Sequence, residues 1–370
     1  MKQFRIIISG GGTGGHIFPA VAIANEVRKR FPEAEILFVG AVDRMEMEKV
    51  PAAGYKIVGL PVSGFDRANL FKNIKVVKKL FQSLSIAKKT IKEFKPDVVV
   101  GVGGYASGPT LWSAASLGIP TLIQEQNSYA GVTNKLLSKK VNRICVAYDK
   151  MEKFFPANKI VITGNPVRGD LEDAKEKRNE AFEFFGLSSK KKTLLIVGGS
   201  LGARTINESI QGGLEELLNS NIQVIWQTGK FYYEKAEEYL KPFSGSAVWC
   251  SDFISRMDYA YAIADLVISR AGASSISELC LLKKPVVLVP SPNVAEDHQT
   301  KNALALVEKD AAVMVKDIDA REVLIRTAKE LIQDESKLSK LSENIALLAQ
   351  YNSAERIVDE IKQIIEKKNL

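Results

Sequence analysis

The chain has few cysteines and histidines, the residues on which disulfide scaffolds and most metal centres depend. Only 3 cysteines and 2 histidines occur among its 370 residues. Cys145, Cys250 and Cys280 are scattered and odd in number, which predicts buried thiols in a reducing cytoplasm rather than a disulfide framework. With two histidines, no metal cluster is visible in the sequence.

Long apolar runs are missing as well. No window approaches the roughly 18 uncharged apolar residues that a membrane-spanning helix needs, and the first apolar run, residues 6–8, stops at a row of glycines. We therefore expect neither a signal peptide nor a transmembrane helix. Hydrophobic residues make up 46% and charged residues 25% of the chain, which is typical of a globular protein long enough for two domains.

Acidic residues are nearly absent from one segment. Between Arg67 and Lys95 nine basic residues occur with a single acid, Glu93, so this segment alone accounts for the net charge of +8. Acidic and basic residues balance in the rest of the chain, which argues against a general nucleic-acid binder and predicts one local basic surface.

An apolar stripe runs through the same segment. Its members recur at three- and four-residue spacing, as on one face of a helix. The stripe predicts either a core-facing helix with a solvated lysine face or a helix that lies on an anionic membrane surface. The candidate membrane residues are Phe71, Ile74, Lys75, Val77, Lys78, Phe81 and Leu84, and Leu70 extends the stripe.

The most informative feature that is present is a row of glycines after a short strand. Residues 6–20 read IIISGGGTGGHIFPA, an apolar strand that leads through five glycines into a helix. Glycine lets the backbone approach an anion closely, and a helix N-terminus presents unpaired N–H groups to it. Residues 193–205, TLLIVGGSLGART, repeat the arrangement. We predict two phosphate-binding loops in two similar halves.

Strand and helix patterns alternate through both halves, as in βαβ units. This predicts an α/β fold with a doubly wound parallel sheet in each half and ligands at the carboxyl ends of the strands. We place the domains at residues 1–167 and 168–353, with a last helix of about 354–370 that packs back on the first. The predicted strands are 6–9, 36–39, 98–102, 121–124, 143–147 and 160–163 in the first half, and 194–197, 224–228, 248–250, 266–269 and 286–289 in the second.

The first glycine loop also fits the dinucleotide-binding pattern GxGxxG. A dehydrogenase of that type needs an acidic residue at the end of its second strand, where this chain has Val39 and Gly40. A single nicotinamide site would also leave the second glycine loop unexplained. The sequence therefore disfavours a dehydrogenase.

Seven motifs follow one another in a fixed order between about residues 5 and 305. They are GGTGGH at 11–16 with Pro19, GGY at 103–105 with SGP at 107–109, EQN at 125–127, GNPVR at 164–168, GGSLGA at 198–203, RAGA at 270–273 with SE at 277–278, and HQ at 298–299 with NA at 302–303. Together they closely resemble the MurG family of peptidoglycan N-acetylglucosaminyltransferases.

The resemblance implies a GT-B fold, in which two Rossmann-like domains face a central cleft. It also implies an inverting transfer of N-acetylglucosamine from UDP-GlcNAc to the 4-hydroxyl of the N-acetylmuramoyl (MurNAc) sugar of lipid I, which makes lipid II for peptidoglycan synthesis. The implied partners are UDP-GlcNAc, lipid I (undecaprenyl-pyrophosphoryl-MurNAc-pentapeptide) and an anionic membrane surface, with no nucleic acid. The implied location is peripheral, on the cytoplasmic face of the bacterial plasma membrane.

The resemblance assigns the donor mainly to the second half. Glu278 is expected to accept the ribose hydroxyls, Ile254 to meet the uracil and Gln299 to bind the transferred sugar. The other implied donor residues are Thr13, Gly14, Gly15, Asn127, Arg168, Ser200, Ala273 and Ser274. The implied acceptor residues are Gly12, Gly103, Gly104, Tyr105 and Asn134, with Asn127 as a further positioning group and the loop from Gly10 to Gly15 as a cradle for the lipid-linked pyrophosphate.

A general base near the acceptor hydroxyl would assist the inverting displacement. His16 and Glu125 are the candidate catalytic residues, and His16 has the equally open alternative of orienting the glycine loop. Some glycosyltransferases hold a divalent metal between two aspartates, but the only such pair, Asp317 and Asp319, reads better as a helix cap. We expect no cofactor and no protein metal site, although a divalent cation can still bind to the donor diphosphate.

Two points stay open. Residues 43–48, DRMEME, depart from the family pattern, which has a glycine before a short apolar–Glu pair, so the conformation of that loop is not predicted. The alternative functions are a UDP-sugar transferase with a different acceptor and a UDP-sugar 2-epimerase. An epimerase would act without an acceptor and would not need the basic apolar helix.

Overall fold

A computed structural model describes residues 3–64, 73–167, 171, 174–199, 201–243, 245 and 247–368. The chain divides into two compact units: unit 1 comprises Met1–Arg168 and Gln350–Leu370, and unit 2 comprises Gly169–Ala349. This division falls one residue after the predicted boundary, and the C-terminal segment belongs to unit 1. Of the predicted site residues, Phe71, Arg168 and Ser200 lie outside the described residues.

Unit 1 contains a seven-stranded parallel sheet in the order β3-β2-β1-β4-β5-β6-β7. The order reverses between β1 and β4, the topological switch point at which doubly wound sheets bind ligands. Gly10 of β1 is paired with Gly103 of β4, so the two glycine loops of this unit begin side by side. The strands are β1 (Arg5–Gly10), β2 (Glu35–Ala41), β3 (Lys56–Leu60), β4 (Val98–Gly103), β5 (Thr121–Glu125), β6 (Arg143–Val146) and β7 (Ile160–Ile162).

Unit 2 contains a six-stranded parallel sheet in the order β10-β9-β8-β11-β12-β13. Its switch point lies between β8 and β11, where Val197 is paired with Ser269. The loops that follow these two residues carry the GGSLGA and RAGA motifs. The strands are β8 (Lys192–Val197), β9 (Ile222–Gln227), β10 (Val248–Ser251), β11 (Leu266–Ser269), β12 (Val286–Leu288) and β13 (Val313–Met314).

Helices connect the strands in both units, as parallel sheets require. In unit 1 they are α1 (Gly14–Arg30), α2 (Glu46–Ala52), α3 (Asn73–Phe94), α4 (Ser107–Ser116) and α5 (Val132–Leu137). In unit 2 they are α6 (Arg178–Phe185), α7 (Arg204–Asn219), α8 (Tyr233–Leu240), α9 (Met257–Ile263), α10 (Ala273–Leu281), α11 (His298–Val307), α12 (Ala320–Gln333) and α13 (Glu335–Ala346). The last helix, α14 (Ser353–Lys368), returns to unit 1.

Alternate residues of β1 pack into two hydrophobic clusters on opposite faces of the first sheet. Ile6 and Ile8 lie in a cluster that includes Ile357 of α14, whereas Ile7 lies in a cluster with Ala87 of α3. Full burial of such a side chain contributes about 1.5–3 kcal/mol. Helix α14 is therefore part of the core of unit 1.

The eleven predicted strands are all present, with ends within two residues of the prediction. Two strands were missed, β3 and β13, and each lies at the edge of its sheet. Both are short, and β3 contains Gly59, so neither has an apolar run long enough to predict a strand. Pairing with β2 and with β12 holds them in extended conformation.

Candidate active site

The two glycine loops of unit 1 pack backbone against backbone. Gly104 has a φ of +85°, and a Cβ atom there would overlap the carbonyl oxygen of Gly11, so glycine is required. Thr13 precedes α1, and its side chain makes no capping hydrogen bond with the described residues. Gly14 and Gly15 form the first turn of α1, where backbone N–H groups have no partner within the helix. This end of α1 keeps the features of an anion site.

A buried carboxylate lies under the first glycine loop. Glu46, at the start of α2, has an exposed fraction of 0% and accepts hydrogen bonds from the backbone N–H groups of Gly12 (2.8 Å) and Ala41 (2.9 Å). A Cβ atom on Gly11 would overlap this carboxylate. The N–H group of Gly12 is therefore not available for the predicted contact with the acceptor, although the space beside the Cα atom of Gly12 is open. The prediction missed Glu46, which lies in the segment that departs from the family pattern.

His16 lies in the first turn of α1 beside both loops. Its Nδ1 atom is 3.0 Å from the carbonyl oxygen of Gly11 and 3.4 Å from Oγ1 of Thr13. A carbonyl oxygen only accepts, so the bond to Gly11 requires a proton on Nδ1, and the neutral ring then has its lone pair on Nε2. A Cβ atom on Gly103 would lie 2.8 Å from Nε2. His16 thus holds the first loop with one nitrogen and presents the other beside the second loop.

Glu125, at the end of β5, organises the loop that follows it. Its side chain is buried, and its carboxylate accepts hydrogen bonds from Asn127 N (3.1 Å), Asn127 Nδ2 (3.3 Å), Gly131 N (2.9 Å) and Asn134 Nδ2 (2.9 Å). Asn134 is also buried, and its Oδ1 atom has no donor among the described residues. Glu125 therefore brings together two of the predicted binding residues, Asn127 and Asn134.

Tyr105 and the GNPVR motif complete the carboxyl edge of the first sheet. Tyr105 is 54% exposed, and its hydroxyl group occupies the space that a Cβ atom on Gly64 would need. Asn165 donates to the carbonyl oxygen of Gln126 (3.0 Å) and accepts from Gln124 Nε2 (2.8 Å). Asn165 of the GNPVR motif is thereby fixed to the end of β5 and the residue after it.

In unit 2 the glycine loop after β8 packs on the loop after β9. Gly202 has a φ of +79°, and a Cβ atom there would overlap the carbonyl oxygen of Thr228. Asn207 of α7 donates to that same carbonyl oxygen (2.7 Å) and accepts from the indole of Trp226 (3.0 Å). These contacts place the N-terminus of α7 at the switch point, as a diphosphate site needs.

The predicted uracil and sugar contacts are engaged within unit 2. Ile254 is buried, and its backbone N–H group donates to Oε1 of Gln227 (3.2 Å). Gln299, at the start of α11, accepts from the backbone N–H group of Ser291 (2.9 Å) through its own Oε1. Ile254 follows β10, and Gln299 bonds the segment that follows β12, so the predicted ligand contacts of both residues stay predictions.

Helix α10 carries the predicted ribose-binding carboxylate. Glu278 is half-buried, and its Oε2 atom accepts a hydrogen bond from the hydroxyl group of Tyr261 (3.1 Å). Gly272 precedes the helix, which begins with Ala273 and Ser274. The Ser274 hydroxyl oxygen is buried and has no partner among the described residues. The helix N-terminus and the carboxylate lie one and a half turns apart.

The helix-cap interpretation of Asp317 and Asp319 is right in position only, since Asp319 is the N-cap residue of α12. Asp319 precedes α12 without a side-chain capping bond to the described residues. Asp317 accepts hydrogen bonds from Arg270 Nη1 (2.5 Å) and Thr205 Oγ1 (3.0 Å). Arg270 also donates to the carbonyl oxygen of Val289 (3.0 Å). Asp317 therefore joins three segments that are distant in sequence, which a local capping pattern does not reveal.

Helix α3 presents two different apolar faces. Val76, Ala87 and Ile91 are buried and face the core, whereas Ile74 is 70% and Phe81 68% exposed. The described part of the predicted stripe is therefore exposed or half-buried, and other residues of the helix face the core. Of the other candidate membrane residues, Val77, Lys75 and Lys78 are exposed and Leu84 is half-buried.

The neighbouring helix α4, which packs against α3, carries a further exposed aromatic side chain. Trp112 of α4 is 44% exposed, and the Nζ atom of Lys140 lies 4.3 Å from the centre of its ring. We call the set Ile74, Val77, Phe81 and Trp112, with Lys75, Lys78 and Lys140, the apolar-basic surface. Among the described residues, no helix combines the length and the hydrophobicity that crossing a bilayer requires.

The chain matches both domains of one enzyme family. Residues 6–146 match the glycosyltransferase family 28 N-terminal domain, and residues 193–361 match the glycosyltransferase family 28 C-terminal domain. The chain is 72% identical over 368 residues to the UDP-N-acetylglucosamine–N-acetylmuramyl-(pentapeptide) pyrophosphoryl-undecaprenol N-acetylglucosamine transferase of Parabacteroides distasonis, with 100% of both chains covered.

Solved structures are similar as well. The crystal structure of MurG from Acinetobacter baumannii has a TM-score of 0.79 at 27% identity, covering 98% of this chain and 99% of that one. A UDP-N-acetylglucosamine 2-epimerase has a TM-score of 0.66 at 16% identity, covering 98% of this chain and 96% of that one. The second likeness shows a shared GT-B fold alone.

Proposed function

Because the chain belongs to glycosyltransferase family 28 and, within it, to the MurG family, we propose a mechanism in which residues of both units carry out the transfer. The enzyme transfers N-acetylglucosamine from UDP-GlcNAc to lipid I, which makes lipid II. The attacking group is the 4-hydroxyl of the MurNAc sugar, and the anomeric carbon inverts in one displacement. The observation that carries this proposal is the glycine loop that each unit places at its own switch point.

Unit 2 binds the donor. The N-terminus of α7 and the first turn of α10 supply backbone N–H groups for the diphosphate, which bears the charge that develops on UDP. The buried hydroxyl of Ser274, which has no partner among the described residues, is one further donor at this end of α10. Glu278 accepts the ribose hydroxyls, and its bond from Tyr261 orients the carboxylate.

Unit 1 binds the acceptor and supplies the base. His16 takes the proton of the 4-hydroxyl on Nε2 while Nδ1 keeps its own proton on the Gly11 carbonyl oxygen. As the acceptor oxygen bonds to the anomeric carbon, the bond from that carbon to UDP breaks. A base of this kind contributes about 10² to 10⁴ in rate.

Glu125 acts as a positioning residue rather than the base. Its four accepted hydrogen bonds engage both carboxylate oxygens, so taking a proton would disrupt the loop that it organises. A buried acceptor without a partner is costly, and Asn134 Oδ1 is therefore suited to a hydroxyl or N–H group of the acceptor.

The apolar-basic surface binds the membrane that carries the lipid acceptor. Exposed Ile74, Phe81 and Trp112 enter the acyl boundary, while the lysines contact anionic headgroups. Such a protein lies peripherally on the cytoplasmic face of the plasma membrane, where UDP-GlcNAc is available.

The reaction uses no cofactor and no protein-held metal in this proposal. Asp317, one half of the aspartate pair that could hold a metal, is engaged by Arg270 and Thr205. A divalent cation bound to the donor diphosphate alone remains compatible with these contacts.

The experiment that tests the function measures UDP release from UDP-GlcNAc by the purified protein, with and without a short-chain lipid I analogue. We expect release that depends on the analogue, and an analogue that gains one N-acetylhexosamine by mass spectrometry. Turnover of the nucleotide sugar without acceptor would instead indicate a 2-epimerase. Transfer to a different acceptor, with none to the analogue, would overturn the acceptor assignment alone.

A further inference from the structure

The buried carboxylate of Glu46 and the ring of His16 meet on opposite sides of one peptide group. The N–H group of Gly12 donates to Glu46 Oε2 (2.8 Å), and the carbonyl oxygen of Gly11 accepts from His16 Nδ1 (3.0 Å). These two backbone groups belong to the same trans peptide bond, whose N–H and C=O point in opposite directions.

We infer that Glu46 is a positioning residue that acts on His16 through the Gly11–Gly12 peptide. Its negative charge polarises this peptide and strengthens the hydrogen bond that the carbonyl oxygen accepts from Nδ1. The carboxylate, peptide and imidazole form one relay that keeps the proton on Nδ1 and the lone pair on Nε2. The inference rests on the proposed role of His16 as the base.

The environment of Glu46 fixes the orientation of its carboxylate. The side chain is fully buried, and both oxygens accept from backbone N–H groups, on Gly12 and on Ala41. Hydrogen bonds to a charged acceptor in a low-dielectric interior are stronger than neutral ones, and a chain of such bonds is mutually reinforcing. Gly11 and Gly40 leave the space for it, since a Cβ atom on Gly40 would lie 2.6 Å from Glu46 Cγ.

The relay supports the proton transfer in a defined way. When Nε2 takes the proton of the acceptor hydroxyl, the ring becomes an imidazolium, and Nδ1–H stays bonded to Gly11. The positive charge is then stabilised by Glu46 through the polarised peptide. Glutamine at position 46 keeps one accepting oxygen but turns an NH₂ group toward a backbone N–H group. It therefore preserves one of the two hydrogen bonds and replaces the other by two donors that face each other.

The first test is a double-mutant cycle with Glu46→Gln and His16→Asn, in the full-length protein with UDP-GlcNAc and the lipid I analogue. We expect E46Q to lower kcat about 10- to 100-fold and to leave the KM for UDP-GlcNAc within about threefold. In the H16N background, E46Q should change kcat by less than about twofold, since the imidazole on which the relay acts is absent. Equal losses in both backgrounds would overturn the relay.

Glu48→Gln is the matched control. Glu48 lies on the same helix, its side chain is 78% exposed and it contacts Lys49. E48Q should therefore keep the kcat of the unaltered protein. An E48Q loss as large as that of E46Q would indicate a general effect on α2 and would contradict the inference.

The second test reads the histidine tautomer directly and does not depend on activity. The chain has only two histidines, so ¹⁵N-histidine labelling gives two rings, and H16N identifies which signals belong to His16. We expect the neutral His16 ring to carry its proton on Nδ1, and E46Q to shift population toward the Nε2-protonated form. A proton on Nε2 in the unaltered protein, or no change in E46Q, would overturn the relay.

The two tests separate this inference from the proposed function. If H16N keeps full activity, His16 is not the base, and the tautomer measurement still decides whether Glu46 acts on the ring. If E46Q does not fold, the loss of UDP binding and of a thermal unfolding transition will show it. Glu46→Asp, which keeps the carboxylate but shortens the side chain and so withdraws it from the Gly12 N–H group, then supplies a second variant whose tautomer shift is expected in the same direction.

Discussion

Arg270 Nη1 lies 2.5 Å from Asp317 Oδ1, and the two side chains are 15% and 18% exposed. The pair joins the end of β11 to the segment before α12. Removing one partner of a largely buried ion pair leaves the other charge without compensation, which costs about 3–5 kcal/mol. We therefore expect D317N to lower the free energy of unfolding by about that amount, measured by urea denaturation.

The control for that prediction is D319N. Asp319 is two residues away, is exposed and makes no side-chain capping bond with the described residues. Its substitution should change the free energy of unfolding by less than about 0.5 kcal/mol. A larger effect of D319N than of D317N would mean that the local helix cap, rather than the ion pair, is what stabilises this segment.

Glu278 should control the affinity for the donor nucleotide. Loss of a charged acceptor for two ribose hydroxyls is expected to weaken UDP binding about 10- to 100-fold in E278Q, measured by calorimetry. Y261F removes only the hydroxyl that orients the carboxylate, and its effect should be smaller, about threefold. Unchanged UDP affinity in E278Q would refute the ribose assignment.

His16 and Glu125 should fail in different ways when altered. H16Q is expected to lose about 10² to 10⁴ in kcat with little change in thermal stability, because the residue is the proposed base. E125Q should lower the melting temperature and raise the KM for the acceptor analogue, because it disturbs four hydrogen bonds around Asn127 and Asn134. The opposite pattern would make Glu125 the base.

The apolar-basic surface should govern binding to anionic vesicles. The double substitution I74S/F81S is expected to weaken vesicle binding at least about tenfold in a sedimentation assay, since two exposed apolar side chains no longer enter the bilayer. UDP affinity should not change. L347S, at a position 82% exposed in unit 2, is the control and should bind vesicles normally. Vesicle binding that is equal in all three proteins would remove this surface from the proposal.

Acid should destabilise unit 2 through Asp258. The bidentate bond from Arg256, aided by Lys177, holds the pKa of this carboxyl below its usual range. A depressed folded-state pKa gives stability that is complete above the unfolded-state pKa of about 3.9 and is lost as the pH falls. D258N should therefore cost about 2 kcal/mol at pH 7, and the difference from the unaltered protein should shrink below about pH 4.

The matched control for the acid experiment is D310N. The Asp310 side chain is 77% exposed, so its substitution should leave the pH dependence of the unfolding free energy as it is. A constant difference between D258N and the unaltered protein from pH 7 to pH 3 would contradict the assignment of the acid-sensitive stability to Asp258.

The sequence predicted the fold in detail where local signals are strong. Both glycine loops lie at switch points, and the predicted strands are present, because apolar β-branched runs and glycine turns act over a few residues. The family and the transferase activity are confirmed by the matched domains and the full-length relatives. The roles of individual site residues stay predictions.

The prediction was incomplete where a role depends on partners far away in sequence. Asp317 was taken for a helix cap because its pattern is local, whereas its partners are Arg270 and Thr205. The spacing of the apolar stripe did not reveal which face of α3 packs on the core. Ile74 and Phe81 of the stripe are exposed, whereas Ala87 and Ile91, outside the stripe, pack into the core.

The local sequence was enough to predict the alternation of strands and helices, the positions of the glycine turns and the family. These features depend on residues that are neighbours in the chain. Folding alone decided which of their polar groups are engaged. The N–H group of Gly12 belongs to a predicted anion loop, but it donates to Glu46, 34 residues away. Backbone groups satisfy their hydrogen bonds with whatever the tertiary structure brings within reach, and sequence spacing does not record that proximity.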